Sequence, residues 1–165
     1  MLYLVATPIG NLKDITLRAL EVLKSAEAIA CEDTRRTGQL LKHYEVQNKL
    51  VSYHAHSGPG RTGEILSLLK EGKDVALVTD GGTPLISDPG FPLVREAIRE
   101  GIRVEAVPGP TAAVAALVAS GLPTERFTFW GFLPAKSAAR KKELKKASDL
   151  EQTLVFYESP YRAAA

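Results

Sequence analysis

Cysteine is almost absent from this chain. Cys31 stands alone, so no internal disulfide can form, and a reducing compartment is expected. Long apolar runs are missing as well, since no stretch reaches the ~18 residues that a membrane-spanning helix requires. The start, Met1-Leu2-Tyr3-Leu4-Val5, runs directly into Gly10-Asn11 and lacks the basic region and cleavage site of a secretory signal, so a cytoplasmic protein is expected. Neither a Walker A pattern nor G-x-G-x-x-G occurs, which removes support for phosphate-cradling nucleotide sites. C-x-x-C and H-E-x-x-H are absent too. His54 and His56 would share a face on a strand, but two histidines are too few ligands for a metal, and no metal is expected. An excess of one charge sign is lacking: 21 Lys and Arg against 19 Asp and Glu give a net charge of +2, so only the local distribution of charge bears on a polyanionic partner.

The remaining sequence is ordinary globular material, 45% hydrophobic and 24% charged. Strand-like and helix-like segments alternate. Leu2–Ala6 is a short apolar run followed by the turn Thr7-Pro8-Ile9-Gly10-Asn11. A helix bearing Leu17, Leu20 and Leu23 follows, with Asp14 or Thr16 as its cap. Ala28–Cys31 is the next strand, where Cys31 is read as packing. Asp33 or Thr34 caps a helix running to about Tyr44. Leu50–Tyr53 is a weaker strand, and Ser57-Gly58-Pro59-Gly60 reads as a loop. A helix around Gly63–Lys70 ends at Gly72. Val75–Thr79 is a near-continuous apolar run, as expected of a central strand buried on both faces. A further helix carries Leu93, Val94, Ala97 and Ile98, Val104–Val107 is a strand, and an Ala-rich helix starts at Thr111.

Five β-then-α units predict an α/β fold, a three-layer α/β/α domain with a mainly parallel sheet over residues 1–122. The rhythm changes at Gly121-Leu122-Pro123. Phe127–Leu133 and Thr153–Tyr157 are strand-like and flank a basic segment, so 123–165 is expected to be the incomplete start of a second α/β domain.

In parallel sheets, ligands bind beyond the carboxyl ends of the strands. The loops Thr7–Asn11, Asp80–Gly90 and Pro108–Thr111 are expected there. A strand-to-helix connector usually needs ~2–6 residues. Asp80–Gly90 is longer and carries two carboxylates, two hydroxyls and three glycines, which marks it as functional without naming a ligand.

The motifs Thr7-Pro8-Ile9-Gly10-Asn11-Leu12, Glu32-Asp33-Thr34-Arg35, Asp80 through Gly90, Pro108-Gly109-Pro110-Thr111-Ala112, Gly131 through Lys136 and Phe156-Tyr157-Glu158-Ser159-Pro160 with Arg162 stand in one order along the chain. In these the sequence resembles the tetrapyrrole methylase superfamily, and within it the ribosomal RNA small-subunit methyltransferase I family. The resemblance implies S-adenosylmethionine as cofactor and 2′-O-methylation of a cytidine in small-subunit ribosomal RNA. It also implies a homodimer, a cofactor cleft between two α/β domains, free or assembled small subunits as substrate, and chains longer than this one. By position it puts the cofactor against Pro8, Ile9, Gly82, Thr83, Ile86, Ser87, Thr111 and Ala112. The wider superfamily often has Gly-Asp-Pro where this chain has Gly82-Thr83-Pro84, a departure from the tetrapyrrole and cobalamin-precursor C-methyltransferases, which form the alternative reading. A non-catalytic RNA-binding module is the third.

Methyl transfer from a sulfonium chiefly requires alignment, while a ribose hydroxyl benefits from a general base. Glu32, Asp33, Asp80 and Asp88 are the carboxylates near the strand ends, with Asp33 and Asp88 the favoured candidates. Each has a bland alternative as a helix cap, Asp33 before Thr34 and Asp88 before a helix opening at Pro89. Lys136, Arg140, Lys141, Lys142, Lys145 and Lys146 cluster against the single acid Glu143, which reads as a solvated helix face or a phosphate-binding patch. Arg35 and Arg36 are expected to add to the RNA-binding set.

Overall fold

The computed structural model describes residues 1–163. Two compact units are present, Met1–Thr111 and Ala112–Ala165.

In the first unit, β1 (Leu2–Val5), α1 (Leu17–Ser25), β2 (Ala28–Cys31), α2 (Thr34–His43), β3 (Leu50–Ser52), α3 (Pro59–Lys70), β4 (Val75–Leu77), α4 (Phe91–Arg99) and β5 (Val104–Val107) alternate as the sequence predicts. The strands form one sheet in the order β3-β2-β4-β1-β5, and every pairing is parallel. Alternation along each strand sends side chains to opposite faces. Val5, Ile29, Cys31, Ala76 and Val78 meet Ala19, Leu23 and Leu41 of α1 and α2. On the other face Leu2, Ala30, Val75 and Leu77 meet Ile65, Leu69, Leu93 and Ala97 of α3 and α4. The sheet is thus covered on both sides, which is why Ala28–Cys31 and Val75–Leu77 are apolar at every position.

This wiring positions the site. The connection from β1 runs to the α1/α2 face and that from β4 to the α3/α4 face, although β1 and β4 are neighbours. Both loops lie at the carboxyl edge, where the winding of the chain reverses, the usual ligand position in such sheets.

Local chemistry sets the helix ends. The Thr16 hydroxyl accepts from the Ala19 N–H at 3.1 Å, and Asp33 Oδ1 accepts from the Arg35 N–H at 2.8 Å. Gly72, at φ +80°, follows the end of α3 in the left-handed conformation.

Three expectations change. Ser57-Gly58-Pro59-Gly60 is not a free loop: Gly58 is the N-cap of α3 and Pro59 its first residue, because proline's missing N–H costs nothing at that position. Regular pairing of β4 stops at Leu77, although the Val78 N–H still donates to the Ala30 carbonyl at 2.9 Å. The helix after the long loop opens at Phe91 with Gly90 as N-cap, not at Pro89, so Asp88 caps nothing. Gly90 has φ +135°, and a Cβ there would lie 2.8 Å from Leu77 Cδ2, so the chain must turn into α4 on a glycine.

In the second unit, α5 (Ala112–Ala119), β6 (Phe127–Phe132), α6 (Ser137–Ser148) and β7 (Thr153–Tyr157) follow. β6 and β7 form a two-stranded parallel sheet. The Tyr157 hydroxyl accepts from the Ala113 N–H at 3.1 Å and satisfies one of the unpaired donors at the start of α5. α5 therefore groups with β7 in the second unit.

Candidate active site

At the carboxyl edge of the five-stranded sheet, three loops are fastened backbone to backbone. Thr7 and Gly82 exchange two hydrogen bonds, Thr7 N–H to the Gly82 carbonyl at 3.0 Å and Gly82 N–H to the Thr7 carbonyl at 2.9 Å. The Thr7 hydroxyl donates to the Thr79 carbonyl at 3.2 Å. The Thr83 hydroxyl donates to the Pro110 carbonyl at 3.1 Å and ties in the third loop. Gly81 has no room for a side chain, since a Cβ would lie 3.0 Å from the Pro8 carbonyl oxygen. At Gly109 a Cβ would meet that of Ala6 at 2.9 Å.

The long loop stores backbone strain. Leu85 and Ser87 are non-glycine residues at φ +72° and +66°. Such conformations cost of order 1–3 kcal/mol each and persist only where surrounding contacts hold them. Leu85 packs against the apolar cluster of α3 and α4, while Ile86 and Ser87 stand exposed. The long loop thus exposes an apolar residue, 38% accessible Ile86, and the first loop exposes Ile9 at 40%.

Carboxylates collect at the ends of β2 and β4. Asp33 is occupied: besides capping α2, it pairs with the Arg35 guanidinium at 3.3 Å, and these bonds hold its carboxyl below the ordinary carboxylate range. Asp80 accepts from the Asp33 N–H at 3.3 Å and pairs with Arg36 at 3.1 Å. Asp88 is different. Burial, and then the negative charges of Glu32 and Asp80, push its pKa up to about 6. The Thr79 hydroxyl opposes this weakly, without forming a full hydrogen bond; it is buried and unpartnered among the described residues. A carboxylate with a proton affinity near neutrality is suited to take up a proton at physiological pH.

Of the residues singled out in the sequence, Pro8, Ile9, Gly82, Thr83, Ile86, Ser87 and Thr111 lie on the three loops at one sheet edge, and Ala112 opens α5. Pro8 and Arg36 line a cleft of about 310 Å³ together with Thr7, Gly10, Thr79 and Asp80. Gly82, Thr83, Ile86 and Ser87 do not line that cleft. Arg140, Lys141, Lys142 and Lys145 lie on α6 of the second unit, and Lys136 precedes it. Lys141, Lys142 and Lys145 are exposed, while Lys146 is paired with Glu143 at 2.6 Å. Cys31 is fully buried, and burial pushes its thiol pKa up, as for a packing residue. Thr7, Thr79 and Tyr157 received no role from the sequence. A polar residue closing an apolar strand is a signal for the two threonines; Tyr157 stands within Phe156-Tyr157-Glu158-Ser159-Pro160, but nothing local assigns it this bond.

The family model for tetrapyrrole (corrin/porphyrin) methylases matches residues 1–165. The chain belongs to this methylase family. It is 54% identical over 161 residues to the ribosomal RNA small subunit methyltransferase I of Halalkalibacterium halodurans, covering 98% of this chain and 56% of that protein. It is 53% identical over 161 residues to the protein of the same name from Escherichia coli O157:H7, with the same coverage, 98% and 56%. The methylase-family chain thus spans little more than half the length of these curated relatives. Among solved structures, a uroporphyrin-III C-methyltransferase from Thermus thermophilus is 31% identical with a TM-score of 0.59, covering 79% of this chain and 59% of that one. A diphthine synthase shares the fold at 19% identity and TM-score 0.74, covering 96% and 65%.

Asp88 yields a stability prediction for this family member. The folded state binds the Asp88 proton more tightly than the unfolded chain, whose carboxylate titrates near the ordinary 3.8. Its contribution to stability is therefore complete below about pH 4 and is lost as pH rises through about 6. Asp88→Asn should match wild type in urea unfolding at pH 4 and exceed it at pH 8, by at most about 3 kcal/mol, the full worth of the shift, less what solvent screens at this part-buried site. An offset independent of pH would contradict the assignment.

Proposed function

We propose that this chain carries the cofactor-binding part of an S-adenosylmethionine-dependent methyltransferase that 2′-O-methylates a cytidine in small-subunit ribosomal RNA. The observation that carries this reading is the 54% identity, spanning nearly the whole chain, to a protein named ribosomal RNA small subunit methyltransferase I. The protein is read as a cytoplasmic homodimer acting on ribosomal RNA or the small subunit. Residues 1–122 are read as one α/β domain and 123–165 as belonging to a second.

The three fastened loops suit the cofactor. They offer exposed apolar Ile9 and Ile86 for an adenosine-like ring system, with the hydroxyls of Thr83 and Ser87 and the backbone of Gly82 as polar contacts. Pro8, Thr111 and Ala112 complete the proposed set. S-adenosylmethionine, when bound, supplies a methyl group made electrophilic by its cationic sulfur. The chain's own task is to hold the acceptor hydroxyl in line and to remove its proton. Of the two candidate carboxylates, Asp88 is the better base, because Asp33 is committed to α2 and Arg35. Asp33 then acts as a positioning residue that orients Arg35. Arg35, Arg36, Lys136, Arg140, Lys141, Lys142 and Lys145 are proposed to bind RNA phosphates.

Two measurements test this in the protein at its full natural length. Methylation of small-subunit RNA should rise with pH through about 6 and then level off, because Asp88 must be ionised to accept the proton. Asp88→Asn should lower kcat by roughly 10²–10⁴ and abolish that limb, while Asp33→Asn keeps it. A pH profile surviving Asp88→Asn would remove Asp88 from the reaction, and methylation of a tetrapyrrole in place of RNA would favour the C-methyltransferase reading. Separately, Lys141→Glu with Lys142→Glu should weaken RNA binding and reduce the slope of log affinity against log salt by roughly 0.7 per lost phosphate contact, leaving cofactor affinity unchanged. An unaltered slope would return α6 to a solvated surface.

A further inference from the structure

A second cleft lies at the same sheet edge, on the α3/α4 side. It is lined by Tyr53, His54, Ser57, Asp88 and Phe91, among others, and holds about 200 Å³. This is below the roughly 300–1,000 Å³ typical of sites that enclose a whole small-molecule ligand, and suits one flat ring. Phe91 opens α4 and is 63% exposed, an unusual state for a phenylalanine beside a cavity. The Arg95 guanidinium, one turn along, lies over the Phe91 ring at 5.8 Å from its centre. An aromatic ring backed by a cation is the element on which nucleobases stack. Across the cleft, His54 Nδ1 accepts from the His56 N–H at 3.2 Å. In the neutral ring that leaves Nε2–H as a donor, which suits the carbonyl or ring nitrogen on the edge of a pyrimidine.

We infer that the cleft between Tyr53–Ser57 and Asp88–Pro92 is a nucleobase subsite, in which one unstacked pyrimidine of a single-stranded RNA stacks on Phe91 and is hydrogen-bonded by His54. The inference rests on the RNA-methylation reading and extends it. Sequence-specific RNA recognition generally takes unstacked bases onto aromatic faces, and enzymes acting on one nucleotide draw it out of its stack. A base and its ribose are covalently joined, and Phe91 and Asp88, three residues apart in sequence, line the same cleft. The base held on Phe91 therefore brings its own 2′-hydroxyl towards the carboxylate assigned to deprotonate it. Stacking of this kind carries no phosphate contact, so it contributes to affinity without contributing to the salt slope.

The test is a cycle between one side chain and one base. A short single-stranded RNA taken from the small-subunit sequence around the methylated cytidine, and the same RNA made abasic at that nucleotide, are titrated against wild type, Phe91→Ala and Phe91→Tyr at full natural length. Because Phe91 is largely exposed, its replacement should leave the fold intact, checked by circular dichroism and unfolding midpoint. Wild type and Phe91→Tyr should bind the abasic RNA roughly 5- to 150-fold more weakly than the intact one. Phe91→Ala should scarcely distinguish them, with an unchanged salt slope. Equal discrimination by wild type and Phe91→Ala, with wild type still methylating RNA, overturns the subsite alone. Failure of wild type to methylate both this RNA and the assembled small subunit overturns the functional reading and the subsite together; methylation of the subunit with no binding of the short RNA overturns the subsite alone. Loss of self-association in Phe91→Ala with unaltered discrimination assigns the ring to a protein interface and likewise overturns it.

Discussion

The pair of hydrogen bonds between Thr7 and Gly82 is the constraint on which the site depends. β1 and β4 lie side by side in the sheet, but their connections leave for opposite faces, and nothing in the strand pairing itself would hold the two loops together. The antiparallel bridge does so through main chain alone, and it needs close backbone approach. Gly81 against the Pro8 carbonyl and Gly109 against Ala6 meet that need where any Cβ would obstruct it. Once loops one and two are joined, the Thr83 hydroxyl reaches the Pro110 carbonyl and extends the unit to the third. A threonine can donate this bond, whereas an ionised aspartate at the same position cannot.

A second constraint is electrostatic. The pairing of β2 with β4 gathers Glu32, Asp33, Asp80 and Asp88 into one region. The arginines that follow Asp33 satisfy part of it, Arg35 pairing with Asp33 and Arg36 with Asp80. Asp88 is left partly buried with like charges nearby and only a weak opposing hydroxyl, and so becomes the carboxylate whose proton affinity approaches neutrality. Leu85 holds this stretch from the other side by packing against the core below it.

Much of this was legible in the sequence. The apolar runs at Ala28–Cys31 and Val75–Thr79 announced buried parallel strands, and the length of Asp80–Gly90 announced a loop longer than a plain connector. The sheet order was not legible, because parallel crossovers leave no local mark of which strand inserts between two others. Nor were the left-handed Leu85 and Ser87, since those residue types adopt that conformation only under tertiary constraint. Asp88 read equally well as a helix cap until the helix proved to begin at Phe91. Likewise, Ser57 to Gly60 carried loop composition, and only packing makes Gly58-Pro59 a helix start.

The central claim is that the three fastened loops form one wall of the cofactor site. Titrating S-adenosylmethionine into isotopically labelled protein and following backbone amide resonances tests it most directly. The account predicts that the shifted amides concentrate in Thr7–Asn11, Gly81–Gly90 and Gly109–Ala112, with those at the opposite sheet edge, near Leu2, Val75 and Val104, unmoved. Shifts centred on that opposite edge, or saturable binding that leaves the three loops unperturbed, would contradict it.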